Sequence, residues 1–199
     1  PGPDYRHGWG LMNTYRAIQL LTLNHEVGGN QLIRELTLNQ SGVEQFTVES
    51  NGSDPLKVTI CWLDPSGTPA QASLNPPNLM LVNDLDLTIT GPNSTVYYPW
   101  VLDPANPSAA ATTGNNFRDN VEQVFIESPV AGTYTIKVGH KNNLTTGSQK
   151  FSIIISGTVV PVPDIVSLVE PIDNAQGISS TQVLCKWTRA PKSMRYELQ

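Results

Sequence analysis

Between residues 31 and 157 the chain alternates apolar and polar residues in short bursts, with turn-forming residues between them and no helical period. The pattern predicts strands over 31–38, 43–49, 56–63, 85–90, 95–101, 121–126, 133–139 and 149–156. Alternation is plainest where Tyr134, Ile136 and Val138 share one face, and again in Phe151, Ile153 and Ile155. Asn51-Gly52, Asp64-Pro65, Ser66-Gly67, Gly91-Pro92, Ala131-Gly132 and Thr146-Gly147 supply the breaks. Eight short strands with no crossover helix among them favour an antiparallel sandwich over a βαβ fold. Two polar stretches, 65–80 and 102–120, interrupt the series. Loops of that length are uncommon and tend to carry function or to move.

The helical period lies ahead of the strands. Gly8-Trp9-Gly10 precedes Leu11, Tyr15, Ile18 and the pair Leu20 and Leu21 at helical spacing, and Val27-Gly-Gly-Asn30 breaks the run. This predicts a helix over 10–21 with little polar face. A helix so short is marginal alone and needs a surface to pack on, so its stripe is expected to dock on the sandwich or to associate with a second copy. After the strands, Thr158-Val-Val-Pro-Val-Pro-Asp164 reads as an extended linker. Beyond it, Val166–Leu168, Thr181–Trp187 and Arg195–Gln199 suggest three strands, with Val183, Cys185, Trp187, Tyr196 and Leu198 facing inward. That is less than half of a two-sheet sandwich. The chain therefore divides into 1–24, 25–157, a linker at 158–164, and 165–199.

Composition narrows the function. Twelve basic residues face seventeen acidic ones, for a net charge of −5. Without a basic stripe, nucleic-acid binding is not expected. No run of about 18 apolar residues occurs, so no membrane-spanning helix is expected. The low charge and abundant Thr, Ser, Asn, Gly and Pro suit an extracellular β-protein. The start at Pro1-Gly2-Pro3, without methionine, suggests a piece of a longer product. Cys61 and Cys185 are distant in sequence and read as two unpaired, mostly buried thiols. No phosphate loop, dinucleotide fingerprint or zinc-spaced His/Cys set is present.

The stretch Leu81-Val-Asn-Asp-Leu-Asp-Leu-Thr-Ile-Thr-Gly-Pro-Asn93 carries the clearest chemistry. Leu85, Leu87 and Ile89 point one way, and Asp84, Asp86, Thr88 and Thr90 the other. Two carboxylates side by side destabilise a strand unless a cation or hydrogen-bond donors answer them. Were the start of this strand to lie beside the 115–122 loop, Asp84, Asp86, Asn116, Asp119 and Glu122, with Asn83 and Asn120 interspersed, could supply oxygens to a divalent ion. Calcium is the candidate, because hard oxygen ligands favour it. The competing arrangement has Asp84 and Asp119 accepting from turn amides or pairing with Arg118. A glycosidase carboxylate pair is disfavoured, since the acids lie in a turn-rich edge with no aromatic platform evident.

Two regions of the chain, one N-terminal and one spanning three ordered stretches, resemble secreted bacterial subtilisin-like serine peptidases. Pro3-Asp-Tyr-Arg-His-Gly-Trp-Gly-Leu-Met-Asn13, followed by Tyr15-Arg-Ala-Ile18, looks like the last helix region of their catalytic domain. Val82–Asn93, Asn115-Asn-Phe-Arg-Asp-Asn-Val-Glu-Gln-Val-Phe-Ile126 and Ser128-Pro-Val-Ala-Gly-Thr-Tyr-Thr-Ile-Lys-Val138 are similar to the jelly-roll domain that follows it, and more distantly to the P-domain of proprotein convertases. Residues 161–199 look like the first strands of a fibronectin type III domain, with Trp187 at a matching position. The resemblance implies a mainly β chain: a jelly-roll antiparallel β-sandwich with one short N-terminal helix and a partial fibronectin-III-like C-terminal segment. It implies that 1–24 is the tail of a catalytic domain. In some relatives the jelly roll binds calcium and stiffens the peptidase. Asn115 and Asn116 stand where such relatives often carry an aspartate, which lowers ligand charge, so affinity would be that of extracellular modules, roughly 10⁻⁴–10⁻³ M.

No Gly-Thr-Ser-Met-Ala type nucleophile segment is present, and His7 does not match the family's catalytic histidine. The expected role is thus noncatalytic: a secreted C-terminal segment that stabilises its own catalytic domain or positions the polypeptide substrate. The alternative is a carbohydrate-binding or adhesion module, with Tyr97, Tyr98 and Trp100 as a sugar-facing surface.

Overall fold

The computed structural model describes residues 2–74, 76–159, 168–171, 175–176, 181 and 185–187. The fold is mainly β, with antiparallel pairing throughout and one α-helix among the described residues. The strands are β1 (Ile33–Asn39), β2 (Glu44–Ser50), β3 (Leu56–Cys61), β4 (Leu85–Thr90), β5 (Val96–Tyr97), β6 (Trp100–Val101), β7 (Thr112–Thr113), β8 (Val121–Ile126), β9 (Gly132–His140) and β10 (Ser148–Ser156). Two four-stranded sheets face each other, in the orders β1-β10-β3-β8 and β2-β9-β4-β5. Most connections cross from one sheet to the other, so each sheet is woven from strands distant in sequence and the two cannot separate as units.

The expected strands are borne out closely, and one departs. The span 95–101 divides into β5 and β6. Pro99 has no N–H to give a ladder, and its carbonyl accepts from Gly114 N–H at 2.9 Å, which turns the chain toward the short β6–β7 ribbon. Inward alternation holds elsewhere. Val58 and Ile60 of β3, Leu85, Leu87 and Ile89 of β4, Tyr134, Ile136 and Val138 of β9, and Phe151, Ile153 and Ile155 of β10 are buried in a single core. Their burial supplies about 1.5–3 kcal/mol per large side chain. Gly157 closes the far end after β10. Its φ is +79°, and a Cβ there would lie 1.9 Å from the Pro55 carbonyl oxygen, so only glycine fits.

The helix α1 (Thr14–Glu26) starts later and runs further than the predicted 10–21. Gly8 and Gly10 adopt positive φ, which no helix continues through. Asn13 then caps the first turn, its side-chain oxygen accepting from Arg16 N–H at 2.9 Å. At the other end, Asn24 ties the helix to β1. Its amide donates to Gly29 O at 2.6 Å, and its oxygen accepts from Leu32 and Ile33 N–H at 2.9 and 3.1 Å. The expected docking on the sandwich does not occur: Leu11, Met12, Tyr15, Ile18 and Leu21 are exposed, Leu11 fully so.

In the C-terminal segment, β11 (Leu168–Glu170) pairs antiparallel with β12 (Lys186–Trp187), and Lys186 Nζ lies 2.7 Å from Glu170 Oε2. Cys185 is half-buried and Trp187, expected inward, is exposed on this short ribbon. Val166, Val183, Tyr196 and Leu198 lie outside the described residues, as does most of the 158–164 linker. Its first residues are tied to β2, since Val159 N–H and Thr158 Oγ1 both donate to Glu49 O at 2.7 Å. Cys61 and Cys185 are free thiols, each half-buried.

Candidate functional site: the acidic end of the sandwich

At one end of the sandwich β3 and β9 finish while β4, β8 and β10 begin. The long 62–84 connection closes this end, and Asn83 fixes it. Asn83 is buried; its amide donates to Gln149 Oε1 at 2.7 Å and its oxygen accepts from Thr145 N–H at 2.8 Å. Trp62 Nε1 donates to Asn83 O at 3.1 Å. The Asp64 carboxylate accepts from Val82 and Asn83 N–H at 2.7 and 2.8 Å. Asn120 completes the closure by donating to Trp62 O at 2.7 Å. These bonds deliver the chain to β4 with Asp84 and Asp86 on the face opposite Leu85 and Leu87.

The antiparallel register brings Lys141 to them. Leu85 pairs with His140 and Asp86 with Gly139, so Lys141 follows opposite Asp84. The ammonium contacts Asp86 Oδ1 and Asn115 Oδ1 and lies 3.8 Å from Asp84 Oδ2. Burial pushes the Asp84 carboxyl up; Lys141 pulls it down, and Asp86 pushes it up again. Asp84 Oδ1 is buried without a partner.

Glu122 reaches this cluster from the other sheet. It is fully buried, and its Oε2 accepts from Leu87 N–H at 2.6 Å, on an edge of β4 that β5 does not cover. Its Oε1 has no partner. Burial pushes its carboxyl up to about 9; the Leu87 hydrogen bond opposes this, Asp86 and Asp84 add to it, and Lys141 opposes it. At neutral pH Glu122 is therefore an uncharged acid that stitches the two sheets together.

Of the five expected ligands, Asp84, Asp86 and Glu122 thus come within electrostatic reach of one another and of Lys141. Asn116 and Asp119 turn on each other instead. Asn116 Nδ2 donates to Asp119 Oδ2 at 2.9 Å and to Trp100 O at 3.3 Å, and its oxygen accepts from Arg118 and Asp119 N–H at 3.1 and 3.2 Å. Arg118 is directed to Pro77 O, at 3.0 Å. The neighbouring Asn115, not Asn116, shares Lys141 with Asp86. Among the described residues no three His, Cys, Asp or Glu side chains are grouped so as to hold a metal ion. Sequence reasoning missed Lys141; the register of β4 on β9 was the signal for it.

Elsewhere the candidates thin out. His7 is exposed, with Nδ1 3.3 Å from Asp4 Oδ2. The Asp4 carboxyl is held below its ordinary range by hydrogen bonds from the backbone N–H groups of His7 and Arg6. Both residues line a cavity of about 440 Å³ against residues 107–111, where Ser108 Oγ donates to Asn106 Oδ1 at 3.2 Å. Tyr97, Tyr98 and Trp100 do not share a face. Tyr97 packs on Tyr134 with ring centres 6.5 Å apart, Trp100 lies so close to Gly2 that a Cβ there would come within 2.9 Å of its ring, and Tyr98 is exposed. No family model matches the chain, and no curated protein matches it. No helix among the described residues is long and apolar enough to cross a membrane.

Proposed function

We propose that the chain is the noncatalytic C-terminal part of a secreted subtilisin-like serine peptidase, with residues 1–24 belonging to the catalytic domain and the sandwich serving as its rigid appendage. The observation that carries this reading is the N-terminal helix. Asn24 fastens its end to β1, while Tyr15, Ile18 and Leu21 on the helix, and Leu11 and Met12 just ahead of it, are exposed. A fastened helix with an unpaired apolar stripe is an incomplete interface. A catalytic domain of which this helix is the last element would cover it, and would be held at a fixed angle to the sandwich by the Asn24 bonds. The strand orders β1-β10-β3-β8 and β2-β9-β4-β5, with sheet-to-sheet connections, support the jelly-roll reading. Stabilisation of that domain, or placement of a polypeptide substrate beside it, follows from such a fixed attachment. The carbohydrate-binding alternative is less favoured, because the three aromatic residues it relies on are dispersed.

The residues encoded before Pro1 test the reading. A Gly-Thr-Ser-Met-Ala type segment some tens of residues upstream is expected, and a reading frame without one refutes the parentage. The isolated chain should not hydrolyse casein, because a nucleophile needs a base within hydrogen-bond reach; turnover blocked by a serine-directed phosphonate would contradict the noncatalytic assignment.

A further inference from the structure

We propose that Lys141 is the resident cation of the acidic end: its tethered ammonium supplies the charge for which a divalent ion was the candidate, so that the sandwich closes there without metal. The inference is independent of the peptidase reading. A calcium ion needs six to eight oxygens converging on one point. Here Lys141 already occupies Asp86 and Asn115, with Asp84 at 3.8 Å. Asn116 has both side-chain atoms engaged inside its own loop, with Asp119 as one partner. Glu122 keeps one oxygen on Leu87 N–H. Of the oxygens in this cluster, Asp84 Oδ1 and Glu122 Oε1 are left buried without a partner, two where a calcium ion needs six to eight.

Charge gives the same answer. Lys141 faces Asp84 and Asp86 together, and its own side chain is partly open to solvent, which can screen the charge left over. The tether matters as well. Lys141 lies directly after β9, and its backbone N–H donates to Asp84 O at 3.4 Å, so the ammonium is delivered by the same register that delivers the carboxylates. A tethered cation cannot be removed by chelation or dilution, which would make stability indifferent to external calcium.

The full chain is melted in EDTA and in millimolar calcium, and titrated with terbium while Trp62 and Trp100 are excited. Equal melting temperatures and no sensitised terbium emission are expected; a calcium-dependent rise, or emission that calcium competes away, overturns the proposal. Lys141→Met should lower the melting temperature by about 2–8 °C, Lys141→Arg should retain most of it, and adding Asp84→Asn and Asp86→Asn to Lys141→Met should recover most of the loss. A Lys141→Met protein as stable as the parent refutes the role. Should that variant not fold, amine acylation of the unmodified chain decides: Lys141 should react more slowly than Lys57 or Lys150, equally with and without calcium, and acceleration by calcium would mean that the ion displaces it.

Discussion

Glu122→Gln separates the charge of this buried acid from its shape. In the folded chain the carboxyl is pushed up to about 9 by burial, against an ordinary value of 4.5. Between those values the folded state holds a proton that the unfolded state has released. Stability from this group is therefore complete below about pH 4.5 and is lost as pH rises toward 9. The slope is about 1.4 kcal/mol per pH unit at most, so about 4 kcal/mol is lost between pH 5 and pH 8. For a domain of this size that corresponds to a fall of about 10 °C in melting temperature. Glutamine keeps the acceptor for Leu87 N–H and mimics the neutral acid, so at pH 5 the variant should match the parent within about 1 kcal/mol. As pH rises the variant should become the more stable protein. Asp84, Asp86 and Lys141 surround Glu122 in both proteins, so their own titrations largely cancel in the difference. The assay is thermal unfolding by circular dichroism at half-unit steps from pH 4.5 to 9. Parallel profiles for the two proteins would mean that Glu122 titrates in the fold as it does in the unfolded chain, and would refute the buried, neutral acid.

Three further outcomes follow from the packing. Asn83→Ala removes a buried donor and acceptor at once and leaves Gln149 and Thr145 without them; a loss of about 2–4 kcal/mol in urea unfolding is expected. Gly157→Ala places a Cβ against the Pro55 carbonyl at positive φ, and should cost about 3 kcal/mol or more, read as low soluble yield or a lowered midpoint. Asn24→Ala should release α1 from β1 while leaving the sandwich melt within about 1–2 kcal/mol, with faster amide exchange at Leu32 and Ile33 as the direct readout.

Most of the sandwich was legible because its signal is local. A period of two in β9 and β10, interrupted by Gly and Asn turns, fixes both the strand and its buried face, and Tyr134, Ile136, Val138, Phe151, Ile153 and Ile155 are buried as that period requires. Helix α1 was misplaced at both ends because the apolar spacing of Leu11 to Leu21 extends past the true start; capping by Asn13 decides the start, and periodicity does not register it. The acidic end was half legible. Asp84, Asp86 and Glu122 could be named from residue type, but the partner of the two aspartates depends on which strand lies beside β4. That strand is β9, from some fifty residues downstream, and only its register puts Lys141 opposite Asp84. Glu122 was read as a ligand where the 115–122 loop meets the predicted strand 121–126. As the second residue of β8 it obeys the same inward alternation as Val124 and Ile126, which places a carboxyl in the core and disfavours its charge.

The two ends of the sandwich are thus built for different tasks. At the Gly157 end the chain enters through Asn24 and Leu32 and leaves through Thr158 and Val159, fastened by the side chains of Asn24 and Thr158 and the backbones of Leu32 and Val159. Motion of anything attached at either terminus is transmitted there to β1 and β2, the two strands that border the opposite sheets. At the other end, a protonated acid, a tethered lysine and the Asn83 bonds lock β3, β4, β8 and β10 together. Load applied at the attached end therefore meets sheets that are stitched to each other at the far end, so the sheets resist being splayed apart. The proposed role, an appendage that holds a neighbour at a fixed angle, would call for that stiffness. The Glu122 stitch supplies it most fully below about pH 4.5 and gives it up as pH rises toward 9.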